Sequence, residues 1–180
     1  MKKQYIIGII VILVIAVAAV GAYALLSDDN KAEKSDVFYI YVQTEPLDDS
    51  YTSTSPGKAA LESGFWVKGT GDNVLDAIEN ACKDNSWSIQ VEDMAGGTGK
   101  YMSSLFDLSS TQNQTTGLWT YWVFYTWDEQ SDSFRYSELA MDDVLSGNAP
   151  QYVSLVYKAF DTADDVPPSV TPNDIPSDVL

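Results

Sequence analysis

From Tyr5 to Leu26 no residue is charged, and a run of that kind has few structural outcomes. In hydrocarbon every backbone N–H and C=O needs a partner within its own segment, so a single spanning segment must be helical. At about 1.5 Å of rise per residue the run matches a hydrocarbon core of about 30 Å. Lys2 and Lys3 precede it, and Asp28 and Asp29 follow it. Retention of positive charge inside the cell predicts a cytoplasmic N-terminus and an extracytoplasmic remainder. The alternative is a cleaved signal peptide, for which Ala22-Tyr23-Ala24 offers a small-x-small site. Signal-peptide cores run to roughly 7–15 residues, so the length favours an uncleaved anchor over residues 1–26 and a single-pass cell-membrane protein. No cysteine closes the run, which argues against a lipid anchor.

The remainder is strongly acidic. The chain has 26 Asp and Glu against 10 Lys and Arg, and two of those lysines lie before the apolar run. Nucleic acids and anionic lipid surfaces need counter-charge, so neither is expected as a partner. A cationic partner, divalent ions or a solvated surface all remain compatible. There is one cysteine, Cys82, and no histidine. No intrachain disulfide can form, and hydrolase mechanisms built on an imidazole base are excluded. The pairs Asp142/Asp143, Asp48/Asp49 and Glu92/Asp93 are adjacent in sequence. Neighbouring side chains on a strand point to opposite faces, so such pairs make no acid–base site by themselves. No EF-hand spacing is present. The expectation is a chain without catalytic or metal-ligating residues, and not an enzyme.

Residues 27–35 read as a polar juxtamembrane linker and 36–160 as the folded domain. Val37 to Gln43 is β-branched and aromatic and predicts a strand; Glu45 to Gly57 predicts a long surface loop. Phe65 to Val67 predicts a second strand. Val74, Leu75, Ile78, Ala81 and Cys82 recur at helical spacing behind Asp72, which is placed to cap the helix. On this stripe Cys82 is a small buried hydrophobe. Trp87 to Val91 alternates as a strand, Met94 to Lys100 is a glycine-rich turn, and Tyr101 to Leu108 predicts a strand with an irregular end. Asn113-Gln114-Thr115 is a glycosylation sequon, relevant only in a host that modifies exported chains. Leu118 to Trp127 is the strongest strand, Phe134 to Tyr136 its short return, and Tyr152 to Phe160 the closing strand. Residues 161–180 hold Pro167, Pro168, Pro172 and Pro176 and no aromatic residue, which predicts a disordered acidic tail.

In this order the elements resemble the transcobalamin C-terminal-like family, which includes exported prokaryotic domains of unknown function and the smaller cobalamin-contacting domain of transcobalamin and intrinsic factor. The run Gly71-Asp72-Asn73-Val74-Leu75-Asp76-Ala77-Ile78 resembles its helix-opening motif. Tyr101-Met102-Ser103-Ser104-Leu105 with Leu108 resembles its Tyr-apolar-x-Ser-apolar stretch. Gly117 to Val123 resembles its Trp-x-Tyr-x-Val strand, and Leu145-Ser146-Gly147-Asn148 with Val153, Leu155 and Tyr157 resembles its closing turn and last strand. Where the family often has Asn-Gly after that strand, this chain continues through Phe124, Tyr125 and Trp127, so a longer hairpin from Leu118 to Tyr136 is expected. The resemblance implies a small α+β, β-grasp-like sheet with one packed helix. It also implies a binding module, with cobalamin or a related corrinoid as the ligand to test. In the cobalamin carriers a separate helical domain forms the other wall of the site, and this chain has none, so a partner protein would have to supply it.

Both faces of the Leu118–Trp127 strand are apolar. Matching the family's pattern puts Trp119, Tyr121 and Val123 under the helix and leaves Trp122 and Phe124 on an uncovered face. Those two are the expected ligand contacts, with Tyr125, Trp127 and Phe134 on the hairpin end as second choices. The competing class is a cell-surface adhesion or protein-interaction domain with no small-molecule ligand.

Overall fold

β1 (Val37–Thr44) is an interior strand of the main sheet, and every residue from Phe38 to Val42 is buried. Alternation of polar and apolar residues is absent from it because both faces are covered. The computed structural model describes residues 36–52, 55–94, 99–161 and 163–180. The apolar run at 5–26, the linker at 27–35 and part of the glycine-rich turn lie outside these residues. Among the described residues no helix is long and apolar enough to cross a membrane.

β1 pairs antiparallel with β2 (Phe65–Thr70) and parallel with β9 (Gln151–Phe160). β9 pairs antiparallel with β7 (Trp119–Asp128) over Trp119–Thr126. The outer edge of β7 is shared: β6 (Thr111–Gln112) takes its start and β8 (Ser133–Tyr136) its end. A second sheet joins β3 (Ile89–Asp93), β4 (Lys100–Leu105) and β5 (Leu108–Ser109). With two α-helices and one 3-10 turn (Pro172–Asp174) among the described residues, the architecture is α+β and dominated by its sheets. The expected long hairpin from Leu118 to Tyr136 is shorter: β7 and β8 pair only over Tyr125–Asp128 and Ser133–Tyr136, and the earlier part of β7 pairs with β9 and β6.

α1 (Lys58–Ser63) was not legible in the sequence, being too short to show a stripe. Tertiary contacts hold it: Leu61 is fully buried, and the Glu62 carboxylate accepts from Leu47 N–H at 2.7 Å. α2 (Val74–Asn85) follows the expected stripe, burying Val74, Leu75, Ala77, Ile78, Ala81 and Cys82. Its cap is Asn73 rather than Asp72. The Asn73 side chain accepts from Asp76 N–H and donates to the Asp76 carboxylate, both at 2.9 Å. Gly69 and Gly71 allow α2 to approach β2. A Cβ at Gly69 would overlap the Ala77 carbonyl, and one at Gly71 would lie 2.7 Å from Ala77 N.

Phe106 and Asp107 form the two-residue turn between β4 and β5, with φ of 54° and 64°. A positive φ is costly for a bulky side chain. Burial of the Phe106 ring against Trp87, at 5.1 Å between centroids, and Trp122, at 5.9 Å, offsets that cost.

The expected disordered tail is corrected. Residues 163–180 run over the face of the main sheet opposite α2, where Ile175 is buried and Val170 and Val179 are half-buried against Tyr39, Trp66 and Tyr125. Composition misled here because it weighs a segment alone. Three spaced aliphatic residues gain burial only from an apolar surface made elsewhere in the chain.

Cys82 is buried beside Ala81 and Ile78, and desolvation, aided by the Glu79 charge, pushes its thiol up to about 12. We expect no reaction of the native chain with a disulfide reagent at pH 8 and full reaction in guanidinium, read by absorbance. Because the folded thiol holds its proton more tightly than the unfolded one, this group's contribution to stability is present below pH 9. It is lost as pH rises through about 12.

Candidate functional site

Between its pairings with β6 and β8, β7 has no strand partner among the described residues on its outer edge from Tyr121 to Phe124. The chain leaving β8 turns away there. Ser137 N–H donates to Phe124 O at 3.0 Å, and the next residues swing toward α2, where Leu75 N–H reaches Met141 O at 3.3 Å. The start of β4 closes the opposite side, tied to the same segment by Lys100 N–H donating to the Asp142 carboxylate at 3.1 Å. These elements enclose a half-open cleft of about 300 Å³. That lies at the lower end of the range for small-molecule sites.

Its floor is apolar: Met102, Trp122, Phe124 and Met141 are all buried. Its rim carries exposed apolar side chains, with Met94 39%, Tyr101 39%, Tyr136 46% and Leu139 60% accessible. Four large exposed apolar groups around one opening form the kind of patch that marks recognition. The polar lining groups are Lys100, Ser110, Ser137 and Glu138. Tyr101 hydroxyl donates to the Glu92 carboxylate at 3.1 Å, which raises the affinity of the phenol for its proton. Tyr121, at the back, is pushed up to about 12 by burial, then by Tyr136 and Asp165, so it stays a neutral donor.

The expected contact residues are redistributed. Trp122 and Phe124 lie on the face under α2, in one cluster with Val74 and Ile78. Val123 and Tyr125 lie on the other face, Tyr121 packs against that second cluster, and Trp119 is half exposed. The face assignment is therefore inverted. A period of two separates the faces of a strand without saying which one meets the helix. Trp122 and Phe124 reach the cleft only as its floor, at 5% and 7% exposure. Tyr125 and Phe134 are buried in the second cluster and Trp127 is half-buried against Phe134, so none of these three lines the cleft. Tyr101, Met102, Tyr136, Leu139 and Met141 were missed. The one available signal was Leu139-Ala140-Met141, an apolar triplet in a polar segment.

Two larger spaces are more polar. One of about 700 Å³ lies where the tail leaves β9, lined by Glu45, Asp161, Asp164 and Asp165. The other, of about 510 Å³, lies beside Asp48, Tyr51 and Asp107. Among the described residues no group of three or more Cys, Asp or Glu is placed to hold a metal ion. No family model matches the chain, and no curated protein matches it.

Proposed function

We propose that the chain is a membrane-anchored, extracytoplasmic, non-enzymatic binding module whose ligand enters the cleft between β4, β7 and residues 136–141. The observation that carries this reading is an apolar floor of Met102, Trp122, Phe124 and Met141 under a rim of exposed Tyr101, Tyr136 and Leu139. Flat rings suit a planar ligand edge, and Lys100, Ser137 and Glu138 supply polar groups at the opening. The motif resemblance favours a corrinoid or another large planar ligand. The parallel β1–β9 pairing with α2 packed across the sheet suits a β-grasp-like domain of that kind. A corrinoid is far larger than 300 Å³, so the cleft would grip one edge and a partner protein would cover the rest.

Calorimetric titration of the Ser35–Leu180 unit with cobalamin tests this, alongside Tyr136→Ser and Leu139→Ser. Leu139 is exposed, but the Tyr136 ring stacks on Phe160 at 5.1 Å, so urea unfolding of each variant is measured first to establish that the fold is retained. Weak saturable heat, reduced at least fivefold by the paired rim changes, is expected. Absence of heat at millimolar cobalamin would remove the stand-alone corrinoid reading. A protein that nevertheless docks through the same rim would establish the adhesion-type alternative.

A further inference from the structure

The face of the main sheet away from α2 carries its own aromatic surface, built from Tyr39, Trp66, Tyr125 and Tyr152. The segment seated on it is acidic, contains four prolines and forms no strand with the sheet. Val170, Ile175 and Val179 supply its apolar contacts. Two lysines of a chain with only 10 basic residues bracket it. At its start Lys158 Nζ donates to the Asp165 carboxylate at 2.6 Å and to Val166 O at 2.8 Å, and Tyr125 hydroxyl donates to the same carboxylate at 2.7 Å. At its end Lys68 Nζ donates to Leu180 O at 3.0 Å. The segment turns at Pro172–Asp174, where Thr171 and Asp174 cap a short 3-10 helix, and again where Val179 N–H donates to Pro176 O. Its four prolines fix φ in advance, so ordering it on an aromatic face costs less entropy.

The seat is incompletely closed. A space of about 700 Å³ lies under the start of the segment. On the same face, Trp66 Nε1 and Ser154 Oγ are buried without a hydrogen-bond partner among the described residues. Segments held by a few side chains and a lysine contact at each end open far more readily than a sheet.

We infer that this face is a binding surface for an acidic, proline-containing segment that carries a 3-10 turn at Pro172–Asp174, filled in cis by residues 163–180, and that the same segment of a second copy can take its place. This surface adjoins the cleft at Tyr121, which packs against one and lines the other, but its existence does not depend on the ligand proposed there.

The test uses the full chain carrying Asp165→Asn and Ile175→Asp, which removes the latch charge and the buried aliphatic anchor. A synthetic peptide of residues 163–180 is titrated into it. The expected result is saturable binding at least tenfold tighter than to the unchanged chain, whose face is occupied, and loss of that binding when the peptide itself carries Ile175→Asp. A folded variant that binds no peptide at millimolar concentration overturns the inference, as does equal binding of both peptides. If the variant does not fold, the unchanged chain serves. A tethered segment acts at roughly millimolar effective concentration. Millimolar peptide should therefore displace the cis segment and speed its cleavage by an Asp-specific protease severalfold, with the altered peptide inactive. Unchanged cleavage overturns the inference.

Discussion

Replacing Trp122 with alanine is expected to lower the unfolding free energy by about 3–5 kcal/mol, the usual loss for a large aromatic side chain removed from a core. Trp122 is 5% exposed and lies 5.3 Å from the Tyr157 ring directly across the strand pair and 5.9 Å from Phe106. Its Nε1–H donates to Leu108 O at 3.0 Å, which fixes β5 against β7. Alanine would open a cavity, remove that hydrogen bond and leave the strained Phe106 turn without one of its compensating contacts. Trp122→Phe should cost less, about 1–3 kcal/mol, since a ring remains and mainly the hydrogen bond is lost. Urea unfolding of both variants measures this directly. Were Trp122 an exposed ligand contact, alanine would change stability by less than about 0.5 kcal/mol. A loss of ligand binding in Trp122→Ala therefore says little about contact, and the rim residues are the better probes.

Asp165→Ala is the second large effect, with an expected loss of about 2–3 kcal/mol. The Lys158 and Asp165 side chains are only 10% and 12% exposed, so their pairing is not a surface ion pair. Removing the carboxylate leaves the Lys158 ammonium with Val166 O and the Tyr125 ring, whose centroid is 5.3 Å away. Orphaning one partner of a fully buried pair costs roughly 3–5 kcal/mol. The loss here is expected below that range because the tail can lift and let water reach the lysine. Converting both residues to leucine should recover most of the stability, because apolar replacement of a buried pair is often neutral. A double-mutant cycle by thermal unfolding reads the coupling. Lysine and aspartate variants that simply add would place the pair in solvent.

What was legible in the sequence was whatever depends on neighbours along the chain. The stripe Val74, Leu75, Ile78, Ala81 and Cys82 specifies α2, because side chains three and four apart share one helix face whatever lies opposite. The β-branched and aromatic runs of β1, β7 and β9 specify strands for the same local reason. The α+β class follows from those elements. The burial of Cys82 follows from its place on the stripe.

Tertiary structure alone decided which face of β7 meets α2, because Trp122 and Phe124 on one side and Val123 and Tyr125 on the other are equally apolar. It also decided that residues 163–180 lie down, since Ile175 gains burial only once Trp66, Tyr125 and Tyr39 form a surface. It made the cleft as well, a break in edge pairing between β6 and β8 that no single segment encodes. Local order is written in sequence spacing, whereas covered faces and gaps arise from pairings between residues far apart in the chain.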